Sequence, residues 1–216
     1  RAAPTPAAPS VAVTQDARPP SATTPPSGTP PAASDETPLA PVELQELALL
    51  TIREDEVPFG FRVRSSIPVT RNEVVAGQIA IGRLAAYLED NGVLGAWAVL
   101  YTREQPNSGL SSIAYQFQTA EGARGMVATI ASLTTADYTT ATAVEPVPAE
   151  TVGDASVMMR YRLPGARTLE LTWSHGNRVG QVLLRYSGDV ETPGDRELLL
   201  GLARIMQQRI ADAAGR

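Results

Sequence analysis

The sequence predicts an α+β domain, a mainly antiparallel β-sheet packed with amphipathic helices, preceded by a disordered Pro/Ala/Thr-rich segment. Three observations carry this. Residues 1–40 differ in composition from residues 41–216. Several stretches of the second part alternate apolar and polar residues with a period of two and are joined by turn residues. Between them lie stretches with apolar residues at helical spacing, and such stripes must be buried against a sheet.

Pro, Ala, Thr and Ser fill 30 of the first 40 positions, and no aromatic residue occurs there. A segment of that kind cannot bury enough apolar surface to offset its ordering entropy. The pairs Pro19-Pro20, Pro25-Pro26 and Pro30-Pro31 bias it toward extended polyproline II. It reads as a semi-stiff, solvated spacer, with Thr and Ser beside Pro resembling an O-glycosylated stalk. Residues 41–216 form a single domain's worth of chain.

Within that domain, Pro41 opens a short helix to about Leu50, and the acidic loop Glu54-Asp55-Glu56 follows. Val57-Pro58-Phe59-Gly60-Phe61 leads into a strand ending near Ile67. Thr70-Arg71-Asn72-Glu73 has the spacing of a capping box. It predicts one helix to about Asp90, with Val74, Gly77, Ile81, Leu84, Ala85 and Leu88 on a single face and Asn91-Gly92 as its stop. Val93–Thr102 is apolar on both sides, as a strand covered on both faces must be. Val93, Trp97, Val99 and Tyr101 are expected on one of those faces. A turn at Gln105–Gly109 returns the chain into a strand with Ile113, Tyr115 and Phe117 aligned. Thr119 caps a helix to about Leu133, and a strand interrupted by proline follows near 141–147.

In the last third, Met159, Tyr161 and Leu163 alternate with Arg160 and Arg162. After a turn at 164–167, Leu169, Leu171 and Trp173 alternate with Thr168, Glu170 and Thr172. Gly176-Asn177 is a two-residue hairpin signal. Pairing His175 with Arg178 sets Leu171 against Val182, Leu169 against Leu184 and Trp173 against Gly180, which leaves room for the indole. Tyr161, Trp173 and Tyr186 are expected on the core face. Asp195 is expected to cap a final helix whose stripe is Leu199, Leu202, Ala203, Met206, Ile210 and Ala213.

Composition narrows the chemistry. There is no Cys, so disulfides, thiolate catalysis and Cys-ligated metals are excluded. There is one His, and all 18 basic residues are Arg. The formal net charge of -5 argues against nucleic acid as a partner. No run of 18 apolar residues exists to form a transmembrane segment.

The candidate sites are few. His175 stands at a hairpin tip, and its neighbour Ser174 should point to the opposite face, so the two do not form a nucleophile–base pair. Glu54-Asp55-Glu56 lacks the spacing that wraps a hard cation. Gly153-Asp154 reads as a tight turn ahead of a strand. Arg160, Arg162 and Arg185 are expected on the solvent side of neighbouring strands, with Glu170 between them and Arg178 near the turn. Such a set could recognise a carboxylate or phosphate by bidentate contacts, or could form cross-strand ion pairs of small net worth. No catalytic residue, metal ligand or cofactor is expected. Met158 and Leu183 lie on the second face of their strands and are expected to be covered by a helix of the same chain.

Six features bear on a resemblance: a spacer followed by a short helix, the Val57-Pro58-Phe59-Gly60-Phe61 entry, Thr119-Ala120-Glu121-Gly122-Ala123 opening a helix, Val152-Gly153-Asp154-Ala155 before a strand, Gly176-Asn177-Arg178-Val179 at the last hairpin, and the closing helix. In their order and turn positions, residues 42–213 resemble secreted bacterial lipoproteins and the extracellular sensor domains attached to receptor kinases. The resemblance implies a non-enzymatic α+β module, some such domains being similar to the PsbP fold; many of the kinase-linked ones carry disulfides, which this chain lacks. It carries over no functional residue.

The expected function is that of a secreted or surface-tethered bacterial binding or accessory module, extracellular, on a proline-rich spacer. Its partner would be a protein, an envelope component or a small ligand. The start at Arg1 goes with the expectation of an upstream signal peptide, lipid anchor or membrane anchor. Two alternatives remain open: a structural subunit of an extracellular assembly, packing through its sheet face or last helix, and an enzyme using carboxylates or Arg alone.

Overall fold

The computed structural model describes residues 39–76, 82–104, 107–188 and 193–215. The spacer predicted over residues 1–40 lies, but for its last two residues, outside them. In chain order the elements are α1 (Pro41–Ala48), β1 (Arg62–Thr70), α2 (Arg71–Ala76), α3 (Gly82–Asp90), β2 (Val93–Arg103), β3 (Ser108–Phe117) and α4 (Ala120–Ala131). They continue with β4 (Ala143–Val147), β5 (Ala155–Leu163), β6 (Ala166–His175), β7 (Arg178–Ser187) and α5 (Pro193–Ala214). Seven strands form one sheet in the order β1-β2-β3-β7-β6-β5-β4, with every neighbouring pair antiparallel. The α+β class read from the sequence is the observed one.

The topology follows from one crossover. β1, β2 and β3 are sequential neighbours, and α4 then carries the chain over the sheet to the far edge. From there β4 to β7 return as a meander, so that β7 docks on β3. Two apolar layers result. On one face α1 and α5 bury Leu44, Leu47, Leu199, Leu202, Met206 and Ile210 against Val99, Leu169, Leu171, Trp173, Val182 and Leu184. On the other, α2, α3 and α4 bury Val74, Leu84, Leu88, Met126 and Ile130 against Ala96, Ala98, Ile113, Tyr115, Phe117 and Met159. Met158 belongs to the α5 layer, and Leu183 packs on the α4 layer, each covered by helices of this chain.

Local signals explain the joints. The capping box at Thr70 forms: the Thr70 amide donates to Glu73 Oε2 at 2.8 Å, and the Glu73 amide donates to Thr70 Oγ1 at 3.4 Å. Thr119 Oγ1 caps α4 by accepting from the Gly122 amide at 3.0 Å. The β6–β7 register is the predicted one, with His175 opposite Arg178, Leu171 opposite Val182 and Trp173 opposite Gly180. A Cβ on Gly180 would stand 2.3 Å from Trp173 Cζ2, so the missing side chain is what admits the indole.

Three expectations are corrected. Of the helix predicted from Thr70 to Asp90, α2 and α3 are described and both are helical; residues 77–81, with Gly77 and Ile81 of its stripe, fall outside the described residues. Helix α5 begins at Pro193, so Asp195 sits in its first turn instead of capping it. Val93 faces the α4 layer, away from Val99 and Tyr101, because the register shifts between Val93 and Gly95 and the extra residue reverses the parity of the strand end. Tyr161 also faces the α4 layer, opposite the Trp173 and Tyr186 side. The reason is arithmetic: Pro164-Gly165 is a two-residue turn, with Gly165 at φ 69°, and an even-length turn pairs odd with even positions. Tyr161 therefore stands opposite Thr168, and Met159 opposite Glu170.

Candidate functional site

The polar residues of β6 that alternate with its leucines do not face solvent. Thr168, Glu170 and Thr172 point under α4, and each is buried, Glu170 to 6% exposure. Gln181 of β7 stands opposite Thr172 and is fully buried. A carboxyl in such a place needs partners. Thr172 Oγ1 donates to Glu170 Oε1 at 2.9 Å, and Gln181 Nε2 donates to the same oxygen at 2.7 Å. The Gln181 carbonyl end is held in turn by the Tyr115 hydroxyl at 2.9 Å. The Tyr161 hydroxyl also hydrogen-bonds Glu170.

Electrostatically the cluster is unbalanced. Burial pushes the Glu170 carboxyl above its ordinary range, against the pull of the hydrogen bonds from Thr172, Gln181 and Tyr161. Burial first, and the Glu170 charge second, push the Tyr115 and Tyr161 phenols far up, so both stay neutral. Tyr138, from the segment after α4, hydrogen-bonds Tyr161, and its ring lies 5.1 Å from the Tyr161 ring at an interplanar angle of 58°.

Glu170 forms part of the wall of a cavity of about 480 Å³ between the sheet and the α3–α4 layer. Thr168, Glu170, Gln181 and Tyr161 supply its polar floor. Leu84, Ile130, Leu133, Leu163 and Leu183 make its apolar walls. The exposed residues Gly82, Thr139 and Thr140 form the rim that opens to solvent. A cavity of this size, mostly apolar with a few convergent polar groups, matches the general form of small-molecule sites.

The set predicted from sequence is not one site. Arg160 stands opposite Leu169, and Arg162 opposite Arg167, which places both on the α5 side of the sheet. Glu170 and Arg185 lie on the α4 side, Arg185 opposite Thr168. Glu170 is thus not the solvent-facing partner of these arginines. Arg160 instead pairs across the strands with Glu145 at 2.7 Å. Arg162 and Arg185 are exposed. The helical cover expected over Met158 and Leu183 leaves Glu170 out, yet the face it lies on is roofed by the α2–α4 layer, which buries it. The signal was available: apolar pairs Met158-Met159 and Leu183-Leu184 announce two covered faces, and the correct hairpin register already sets Gln181 beside Thr172.

The other motifs have structural roles. Asp154 ties down the β6–β7 hairpin: its amide donates to the Ser174 carbonyl at 2.7 Å, its Oδ2 accepts from the Gly176 amide at 2.8 Å, and its Oδ1 lies 3.3 Å from His175 Nδ1. Gly153, at φ 64°, has no space for a side chain, since a Cβ there would meet the Ser174 carbonyl oxygen at 2.2 Å. Ser174 is buried while His175 is half-buried at the tip, so they do not act together. In the acidic loop Glu56 pairs with Arg209 of α5, and Arg209 donates to the Thr51 carbonyl at 2.6 Å. Among the described residues no group of three His, Asp or Glu is placed to hold a metal ion.

No protein-family model matches the chain, and no curated protein matches it. Among the described residues no helix is long and apolar enough to cross a membrane. Among solved structures, an uncharacterized protein from Mycobacterium smegmatis (Rv0999 ortholog) aligns with TM-score 0.44 and 14% identity over 76% of this chain and 96% of its own. The extracellular domain of PknH from Mycobacterium tuberculosis aligns with TM-score 0.53 and 13% identity, covering 82% of this chain and 99% of that one. At that identity the likeness is one of fold: this chain is folded like the extracellular domain of PknH.

Proposed function

We propose that the chain is a non-enzymatic, extracellular binding module whose ligand enters the cavity beside Glu170, and that residues 1–40 are the spacer holding it away from a surface anchor. The observation that carries this is the cavity itself, about 480 Å³, walled by leucines and floored by a hydrogen-bonded buried carboxyl. Among the described residues its lining contains one carboxylate, Glu170, where acid–base hydrolysis of the glycosidase kind would need two. The shared fold with an extracellular domain supports the compartment. At about 3.1 Å per residue in polyproline II, a 40-residue spacer would reach on the order of 120 Å.

Titration with the neutral apolar dye Nile red tests the reading. Saturable, blue-shifted emission is expected, lost when Leu183→Trp fills the cavity from the half-buried β7 side. Equal dye binding by the variant would count against it. A second reading, a subunit of an extracellular assembly, draws on the edge of the sheet, where Ile67 and Leu100 are 48% and 38% exposed. Size-exclusion chromatography with light scattering would favour it by showing a stable oligomer.

A further inference from the structure

The geometry points to the class of ligand: an organic ammonium ion, an apolar chain or ring bearing one positive charge, seated with its nitrogen against Glu170. This inference rests on the reading of the cavity as a ligand site.

Three features of the site converge on it. First, the hydrogen bonds around Glu170 favour its ionised form and work against the burial that pushes the carboxyl up. Thr172 Oγ1 and Gln181 Nε2 both donate to Oε1, and Tyr161 also hydrogen-bonds the carboxyl. Secondly, the anion has no counter-ion within the protein. Among the described residues no Arg acts on the Glu170 carboxyl; its polar partners are Thr172, Gln181 and Tyr161. Arg160 and Arg162 are on the other face, and Arg185 lies one row along the sheet, exposed, opposite Thr168. A buried charge without a partner is costly, and a ligand cation would supply one. Thirdly, the space beside the carboxyl suits an apolar ammonium. Leu84, Ile130, Leu133 and Leu183 receive hydrocarbon, while Tyr138 and Tyr161 line the same space, and aromatic faces attract ammonium groups. An anionic ligand would meet Glu170 directly, and a neutral one would leave the carboxylate unpaired.

The groups facing Glu170 set how pH acts on this. Tyr161 on β5, Tyr115 on β3 and Tyr138 after α4 are all pushed up by burial and stay neutral at ordinary pH. Leu84 of α3, Ile130 of α4 and Leu133 just after α4, which also line the cavity, are apolar. Glu170 is therefore the group that titrates there, and ammonium binding requires it ionised.

The test compares hexylammonium chloride with 1-hexanol by isothermal titration calorimetry on the full chain. A charge-assisted contact predicts hexylammonium binding about 10-fold to 100-fold tighter than hexanol at pH 8. In Glu170→Gln the ammonium should lose its advantage over hexanol and fall to the level at which the same variant binds hexanol. A cooperative urea unfolding transition followed by circular dichroism shows that the variant is folded. On the wild-type protein, where folding is not at issue, hexylammonium affinity should fall by up to about tenfold per pH unit below the carboxyl's folded pKa, with hexanol unaffected. Hexanol binding as tightly as hexylammonium, or a preference unchanged by Glu170→Gln and by pH, overturns the ammonium assignment and leaves the cavity reading standing. Binding of neither probe overturns both.

Discussion

Placing a single methyl group on β7 should test the two-layer packing sharply. In Gly180→Ala the new Cβ would stand 2.3 Å from Trp173 Cζ2 and 2.5 Å from Cε2. Ordinary carbon contacts begin near 3.5 Å, so the ring or the strand must retreat by about 1 Å. Trp173 cannot tilt into solvent, because it is fully buried in the α5 layer. The substitution also removes some unfolded-state freedom, a gain of about 0.4–1 kcal/mol at most. Overpacking in a tight core costs about 1–3 kcal/mol, and with a fully buried ring as the obstacle the net loss should be about 2 kcal/mol. For a domain of this size that lowers Tm by about 4–8 °C. Urea unfolding followed by far-UV circular dichroism measures it. Trp173→Phe in the same chain supplies the cross-check, since the smaller ring should recover part of the loss and make the pair non-additive. A Gly180→Ala protein within about 0.5 kcal/mol of wild type would refute the packing and the register behind it.

Other predictions follow from single contacts. Gly153→Ala combines a positive φ with a Cβ 2.2 Å from the Ser174 carbonyl and should cost more than Gly180→Ala, read by the same urea titration. Thr119→Ala removes the α4 cap and should cost about 1 kcal/mol. Arg209→Met keeps an apolar stem but loses the Thr51 carbonyl and Glu56, and a loss of about 1–2 kcal/mol is expected in thermal unfolding. For pH, the Glu170 carboxyl lies above its ordinary value of 4.5 in the folded protein, so the folded state binds more protons than the unfolded one between the two values. Its stabilising share is present at low pH and is lost as pH rises through the folded pKa. Glu170→Gln should therefore gain stability relative to wild type as pH climbs, and a difference independent of pH would contradict the assignment. Glu73, Asp137 and Glu145 are held below their ordinary values, the first two chiefly by the amides of Thr70 and Thr134 and Glu145 by Arg160, and act in the opposite direction as pH falls.

Much of the fold was legible because local rules and tertiary need agreed. The Thr70 capping box, the Gly176-Asn177 hairpin and the stripe of the last helix each encode structure within a few residues. What misled was the polar alternation of β6, which looks like a solvent row. Thr168, Glu170 and Thr172 are all buried, and Thr168 and Glu170 line the floor of the cavity. One extra residue at Leu94 and a two-residue turn at Pro164-Gly165 each reversed a set of side chains, and neither has a hydrophobic signature. The cavity-lining residues Tyr138, Thr139 and Thr140 come from a Thr-rich connection whose sequence has no period to read. Arg160, Arg162 and Arg185 were grouped by strand proximity, whereas a sheet divides its neighbours by face.

The most direct measurement is a methyl NMR titration of the protein with hexylammonium, using Leu and Ile probes on both layers. Shifts should concentrate on Leu84, Ile130, Leu133 and Leu183 around the cavity, and leave Leu169, Leu171 and Leu199 under α5 unmoved. Shifts confined to the α5 layer or to the Ile67 edge, or no saturable shift at the cavity methyls, would contradict the assignment of this cavity as the ligand site.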